Sequence, residues 1–342
     1  MAHYGKRHGI ISYLFWTGVA VFSGVFLFYS ATKGVRYAYE SFSRMFEPLV
    51  YEAQNFPLKV SAAAGAPKIF YALNDGGKGI SGDSGPDNYY AIDKNMPKPQ
   101  LSAKAYLVAD LDSGAIILEK NKYSVFPIAS ITKLMTALVS LEEMDQTGVA
   151  AVPMAISSIP YYKVGGLKAG QLIKTGDLIY PLLLESSNVA AETIAGDYGR
   201  DKFIRMMNKK SAELGLEKTS FADPSGVSPA NVSSAQEVFE FLSYIYKYKK
   251  EILEVTRQEG YSSNSNAWIN KNLISDMRNY LGGKTGHTSQ AKETIAAAFY
   301  MPVSFGGGRN IGIALLKSES REEDVMEILD YISKNVRFGA NY

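Results

Sequence analysis

The sequence predicts an α+β fold in which one antiparallel sheet takes strands from both ends of the globular part of the chain, with helices over both of its faces. Three observations lead there. Residues 105–109 and 115–118 are short apolar runs flanking Asp110-Leu111-Asp112-Ser113-Gly114, a turn-forming cluster, and read as a hairpin. Residues from about 130 to 248 carry helix-period patterns. The strand pattern then returns at residues 280–287, 294–301 and 310–316, the last two joined through Gly306-Gly307-Gly308, and an amphipathic helix over 324–336 closes the chain.

At 342 residues and 46% hydrophobic content, the chain is long enough for one large domain with extras or for two domains. A net charge of +2 leaves no nucleic-acid footprint. There is no cysteine, so no disulfide framework and no thiolate metal site. The three histidines, His3, His8 and His287, are not spaced as ligands. Neither a metal nor another cofactor is expected.

Taken from its start, the chain opens with residues 10–29, uncharged and rich in Ile, Leu, Val, Phe, Tyr and Trp, long enough to span a bilayer as a helix. A cleaved secretory signal is the rival reading, but its apolar core is usually shorter and Ser30-Ala31-Thr32 is a poor cleavage site. The expectation is a cytoplasmic stub and transmembrane anchor over 1–31. Lys6 and Arg7 before the span are matched by Lys33 and Arg36 after it, so charge does not set the orientation. Residues 32–97 follow as a juxtamembrane segment and a linker rich in Gly, Ala, Asp, Pro and Asn, unable to bury enough apolar area to order itself. The globular domain is placed at 98–342.

Within it, Ile128-Ala129-Ser130-Ile131-Thr132-Lys133-Leu134-Met135 opens an apolar helix. Residues three apart share a helix face, so the Lys133 amine reaches the Ser130 hydroxyl, a nucleophile beside a base. Next come helices over 177–184 and 189–195 with Glu185-Ser186-Ser187-Asn188 between them, and a third over 201–214 that Gly215 ends. Ser234-Ala235-Gln236-Glu237 reads as a capping box for 238–248, and Ser320-Arg321-Glu322-Glu323 as the cap of the closing helix. The middle of the chain is expected to be all helix.

Single motifs are cheap here. Ser-x-x-Lys also occurs at Ser30 and Ser289, Ser-x-Asn at Ser262 and Ser333, and Lys-Thr-Gly at Lys174. Only Ser130 with Lys133, Ser186 with Asn188, and Lys284-Thr285-Gly286 fall in the order helix start, interhelical turn, strand.

This ordered set, together with Ala109-Asp110-Leu111-Asp112-Ser113-Gly114, Phe221-Ala222-Asp223-Pro224-Ser225-Gly226 and Lys284-Thr285-Gly286-His287-Thr288, resembles the serine D-alanyl-D-alanine carboxypeptidases. These are the low-molecular-mass penicillin-binding proteins of peptidase family S11, and the resemblance covers roughly residues 97–338. It implies a β-lactamase/DD-peptidase-like fold, a five-stranded antiparallel sheet with flanking helices and an all-helical lobe. It implies that Ser130 is acylated, that Lys133 is its base, that Ser186 relays a proton to the departing D-alanine and that the Asn188 amide holds the substrate peptide group. Lys284 would keep Lys133 deprotonated by like-charge repulsion and, with Thr285 and Thr288, bind the terminal carboxylate. Gly286 would let the substrate backbone lie on the strand, and the N–H groups of Ser130 and His287 would form an oxyanion hole. The implied partners are peptidoglycan stem peptides, with β-lactam antibiotics as inhibitors. The place of action would be the outer side of a bacterial cytoplasmic membrane, in a single-pass protein.

The chain departs from the family pattern at Ser187 and Val189, where Gly and Asp often stand, and at Val232, where a histidine commonly precedes the hydroxyl pair Ser233-Ser234. The family's second, sheet-rich domain and membrane-binding tail are not expected, the N-terminal anchor taking the tail's place. Two alternatives stay open at this stage. A D,D-endopeptidase would use the same residues on cross-links. A serine β-lactamase-like hydrolase would need a deacylating glutamate, and no convincing Glu-x-x-x-Asn stretch lies between residues 199 and 226.

Overall fold

A computed structural model of the chain describes residues 90–92, 97–162, 164–263, 266–302 and 308–338. The apolar run at 10–29 and most of the expected linker lie outside them. Among the described residues no helix is long and apolar enough to cross a membrane.

The elements run β1 (Tyr90–Ile92), β2 (Ala105–Asp110), β3 (Ile116–Lys120), β4 (Val125–Pro127), α1 (Thr132–Glu143), β5 (Val149–Ala151), β6 (Leu172–Lys174), α2 (Ile179–Leu184), α3 (Asn188–Tyr198) and α4 (Arg200–Glu213). They continue with β7 (Val232–Ser234), α5 (Ala235–Tyr248), α6 (Lys250–Arg257), β8 (Gly260–Ser263), β9 (Asn266–Ile269), β10 (Tyr280–Thr288), β11 (Lys292–Pro302), β12 (Gly308–Ser318), α7 (Arg321–Asn335) and β13 (Val336–Phe338). The main sheet has five antiparallel strands in the order β10-β11-β12-β2-β3, so both ends of the folded chain do contribute to it.

Every residue of β2 is buried because the strand is central and covered on both faces. Its alternation sorts side chains between two cores. Tyr106 and Val108 join Ile295, Ala297, Phe299, Ile313 and Leu315 against Val325, Ile328 and Ile332 of α7. Ala105, Leu107 and Ala109 face the other way, with Ala296, Ala298 and Ala314, toward the helical lobe. The small residues of that second face let α5 lie close: a Cβ on Gly312 would stand 2.7 Å from the Phe239 ring.

The expected caps are half right. Ser234 Oγ accepts the Glu237 N–H at 3.2 Å, but the Glu237 carboxylate turns away to accept the Lys218 N–H and the Thr219 hydroxyl. Ser320 makes no side-chain cap to α7. Asp324 instead carries the polar work there, buried and accepting from the backbone of Ser102 and Ala103 and from the Ser318 hydroxyl, which ties the start of the domain to its last helix. Gly215 ends α4 as expected, at φ 76°, with Leu216 N–H returned to Ser211 O and Gly215 N–H to Ala212 O.

The expectation of an all-helical middle is corrected. Two two-stranded ladders, β4 with β7 and β5 with β6, reach into it, and a third, β8 with β9, follows α6. Most of these strands have only three residues, too few for a period-2 signal, and β4 and β7 are held by a partner more than a hundred positions away. Residues 90–92, read as linker, pair antiparallel with Val336–Phe338.

Candidate active site

The site is built around a strained turn. Ser130 lies in a single 3-10 turn, Ala129–Ile131, immediately before α1, and Ala129 holds a left-handed φ of 49°. Gly226, at φ 86°, fits under that turn, where a Cβ would overlap the Ala129 carbonyl. Ser130 therefore projects from a bend clamped from below rather than from the regular helix that the spacing implied.

Lys133, on the first turn of α1, is completely buried. Its Nζ stands 3.0 Å from Ser130 Oγ, 2.8 Å from Asn188 Oδ1 and 2.6 Å from the Ser225 carbonyl oxygen. Burial pushes its pKa down to about 7, against the opposing pull of the Asp223 and Glu192 carboxylates. A neutral amine has two hydrogens and one lone pair. Asn188 Oδ1 and the Ser225 carbonyl accept the two hydrogens, so the lone pair is left facing the Ser130 hydroxyl.

Asn188 opens α3, whose N-cap is Ser187. Its Nδ2 donates to the Pro160 carbonyl at 2.9 Å, which orients the amide so that the oxygen meets Lys133. Ser186 sits in the α2–α3 turn with φ 59°, and among the described residues none shares a hydrogen bond with its hydroxyl. Beside it the Glu185 carboxylate accepts the N–H groups of Gly165 (3.1 Å) and Ile269 (3.3 Å) and pairs with Lys271 at 2.7 Å. That holds the turn between two neighbouring segments.

The third segment is β10, the edge strand of the main sheet. Its early part is covered by α6, where a Cβ on Gly282 would collide with Leu253 and where Gly283 N–H donates to Thr256 Oγ1 at 2.9 Å. Residues 284–288 are left as the free edge beside Ser130. A Cβ on Gly286 would come within 2.7 Å of the Ser130 nitrogen, so glycine keeps the space before that N–H open. Lys284 is buried and donates to the Thr285 carbonyl at 2.8 Å. Its pKa is held well below the usual lysine range by burial first, then by the charges of Lys133 and Arg321. The repulsion expected to act on Lys133 thus bears on Lys284, and Lys133 is lowered by burial. Thr285 is half-buried, His287 is exposed, and Thr288 Oγ1 accepts the Ala291 N–H at 3.0 Å in the turn to β11.

Four contributors carried no signal in the sequence reading. The Ser225 and Pro160 carbonyls act through the backbone, which side-chain motifs do not mark. Asp223 stands in Phe221-Ala222-Asp223-Pro224-Ser225-Gly226, a stretch whose spacing gives it no role. Arg321, read as part of a cap, donates Nη1 to the Gly286 carbonyl at 2.9 Å and adds a guanidinium next to Lys284. The other copies of the motifs lie elsewhere: Lys174 ends β6 at the entry to α2, and Ser333 is within α7.

A buried lysine facing a serine at the foot of a helix, with an asparagine above it and a free lysine-bearing strand edge alongside, defines a serine hydrolase of the penicillin-binding fold. The sequence model of the D-alanyl-D-alanine carboxypeptidases matches residues 92–300, and the chain belongs to that family. A D-alanyl-D-alanine carboxypeptidase of Mycobacterium tuberculosis is 30% identical over 231 residues, covering 65% of this chain and 77% of that protein. A D-alanyl-D-alanine endopeptidase of Pseudomonas aeruginosa is 34% identical over 150 residues, which is 42% of this chain and 47% of that protein. The chain thus spans about half the length of the latter relative. Among solved structures, penicillin-binding protein D2 of Listeria monocytogenes, in an ampicillin-bound form, superposes with a TM-score of 0.60 at 25% identity, covering 69% of this chain and 98% of that one.

Proposed function

We propose that the chain removes the terminal D-alanine from peptidoglycan stem peptides through an acyl-enzyme on Ser130. The observation that carries this is the lone pair of a neutral Lys133 held on the Ser130 hydroxyl by two fixed acceptors. Lys133 takes the hydroxyl proton as Ser130 Oγ bonds to the carbonyl carbon of the penultimate D-alanine. The oxyanion is received by the N–H groups of Ser130 and His287, a pair of donors worth roughly 3 kcal/mol each in such sites. The C–N bond then breaks, Ser186 hands a proton to the departing amine, and water hydrolyses the ester. The substrate backbone lies along residues 284–288 as an added strand. Its carboxylate meets Lys284, Thr285 and Thr288, with Arg321 close by, and the second Asn188 amide hydrogen holds its peptide group. A β-lactam, a strained amide carrying a carboxylate, occupies the same place and stays on Ser130.

A second reading, cleavage of D,D cross-links, is supported by the endopeptidase relative. Mass spectrometry of muropeptides incubated with the protein separates the two. Loss of one alanine is expected, and conversion of dimers to monomers without it would favour the endopeptidase. If neither occurs, or if either survives Ser130→Ala, the Ser130 reading fails.

The division into an anchor at 1–31, a linker at 32–97 and a catalytic part from about 98 belongs to the same proposal. It rests on the uncharged run at 10–29 and on the location of peptidoglycan outside the cytoplasmic membrane. Residues 1–8 then lie inside and the catalytic part outside. Protease added to intact cells stripped of their wall should release a penicillin-labelled fragment, and protection until the membrane is broken would show the opposite orientation.

A further inference from the structure

Asp223 has no place in the chemistry above, yet it is one of four buried carboxylates among the described residues. Its Oδ1 accepts the Ser225 N–H (2.7 Å), the Ser225 hydroxyl (2.8 Å) and the Gly226 N–H (2.6 Å), and its Oδ2 accepts the Ser228 N–H (2.6 Å). Those bonds fold residues 223–228 into one rigid turn. Asn231 fixes it further, accepting the Asp223 N–H and donating Nδ2 to the Asp223 carbonyl and to Thr132 Oγ1. The turn then meets the nucleophile segment at three points. Thr136 Oγ1 donates to the Pro224 carbonyl at 2.5 Å, Lys133 Nζ to the Ser225 carbonyl, and Gly226 supports Ala129.

We propose that Asp223 is a positioning residue for the base: its carboxylate fixes the turn whose Ser225 carbonyl takes one of the two hydrogens of neutral Lys133 and so aims the lone pair at Ser130. The same carboxylate has a second effect, because a buried negative charge near the amine holds its protonated form. Other charges face Lys133 too: Glu192 on α3, paired with Arg200 at 2.7 Å, acts in the same direction as Asp223, while Lys284 on β10, with Arg321 behind it, is of like charge. Of these, Asp223 alone both charges the site and holds an acceptor of the lysine. The pH at which the base becomes free, set first by burial, is thus raised by the group that aims it.

The inference rests on Ser130 being acylated with Lys133 as base, so the experiment first establishes that step. The full chain is reacted with a chromogenic cephalosporin in single turnover across pH, with Ser130→Ala as the blank. Wild-type acylation that vanishes in the blank supports the parent reading, whatever Asp223 does. Asp223→Asn keeps three of the four acceptor bonds and removes the charge. Its acid-limb midpoint should fall by about one pH unit. Asp223→Ser, which caps a turn through a hydroxyl, loses both charge and most of the clamp. Its plateau should fall about tenfold or more, with the midpoint shifted the same way. Thermal melts report whether each variant is folded. A folded Asp223→Ser with the wild-type plateau, or a folded Asp223→Asn with the wild-type midpoint, overturns the proposal. If neither variant folds, Asp223 serves folding alone, and the proposal is overturned as well.

Discussion

Lys133 and Asn188 stand 55 positions apart and are joined by a 2.8 Å hydrogen bond from Nζ to Oδ1. The amide nitrogen of Asn188 is bound in turn to the Pro160 carbonyl, so the side chain cannot flip without losing both bonds. Asn188→Asp keeps an acceptor for Lys133 but sets a second oxygen against the Pro160 carbonyl and adds a negative charge beside the amine. The acid limb of acylation should move up by about one pH unit and the plateau should fall. A midpoint that stays at the wild-type value would show that the asparagine does not touch the base.

For Lys133 itself, the sign follows from burial. Its pKa is lowered to about 7, so the fraction of neutral amine, and with it the acylation rate, rises with pH through about 7 and levels off above. Lys133→Arg keeps the charge but cannot give up a proton, and should lose acylation by at least about a hundredfold. An Arg variant of near wild-type rate would place the base elsewhere.

How far the sequence shows these relations depends on which atoms carry them. Four of the five main strands were readable as short apolar runs and β10 by the stretch around Lys284-Thr285-Gly286, and the helices because their apolar faces repeat. The ladder of Val125–Pro127 with Val232–Ser234 was not, since three residues hold no period. Ser130, Lys133, Asn188, Lys284 and Gly286 could be picked out as an ordered set of side chains. The Ser225 and Pro160 carbonyls could not, because any residue supplies a carbonyl and only the fold says where it points. The same holds for the cause of the low Lys133 pKa. Burial and a second cation were both visible as ways to lower it, and only α1 enclosed by α3, α4 and the turn at Asp223 shows that burial is the one that acts on Lys133.

The two glycines that touch the nucleophile segment should behave differently when given a methyl group. Gly226→Ala has both a left-handed φ and backbone directly in the way, so it should cost about 2 kcal/mol or more of stability, read from the denaturation midpoint. Gly286→Ala, at a buried position on β10, meets the Thr294 hydroxyl, the Ser130 nitrogen and the Ala129 side chain, all closer than 3.0 Å. Its φ is not left-handed, so it should cost less stability than Gly226→Ala, while acylation falls about tenfold or more because the methyl fills the place of the oxyanion. Equal losses of stability in the two variants would contradict this division.

The last prediction concerns Lys284, whose pKa is lowered by burial and by Lys133 and Arg321 before any substrate is present. A bound carboxylate supplies the missing counter-charge and favours the ammonium form, so Lys284 has a higher pKa in the complex than in the free protein. Binding a carboxylate ligand should then take up protons wherever the pH lies above the free value and below the bound one. The affinity should fall as pH rises through that window, since deprotonated lysine must first be protonated to bind. Calorimetry of the Ser130→Ala protein with a penicillin, run in two buffers of different ionisation enthalpy, measures the uptake directly. Lys284→Met should abolish the uptake and weaken binding by about tenfold or more, the loss of a charge-assisted contact. A heat that is independent of the buffer across that window would show that Lys284 is already charged in the free protein, and that burial and Lys133 do not govern it.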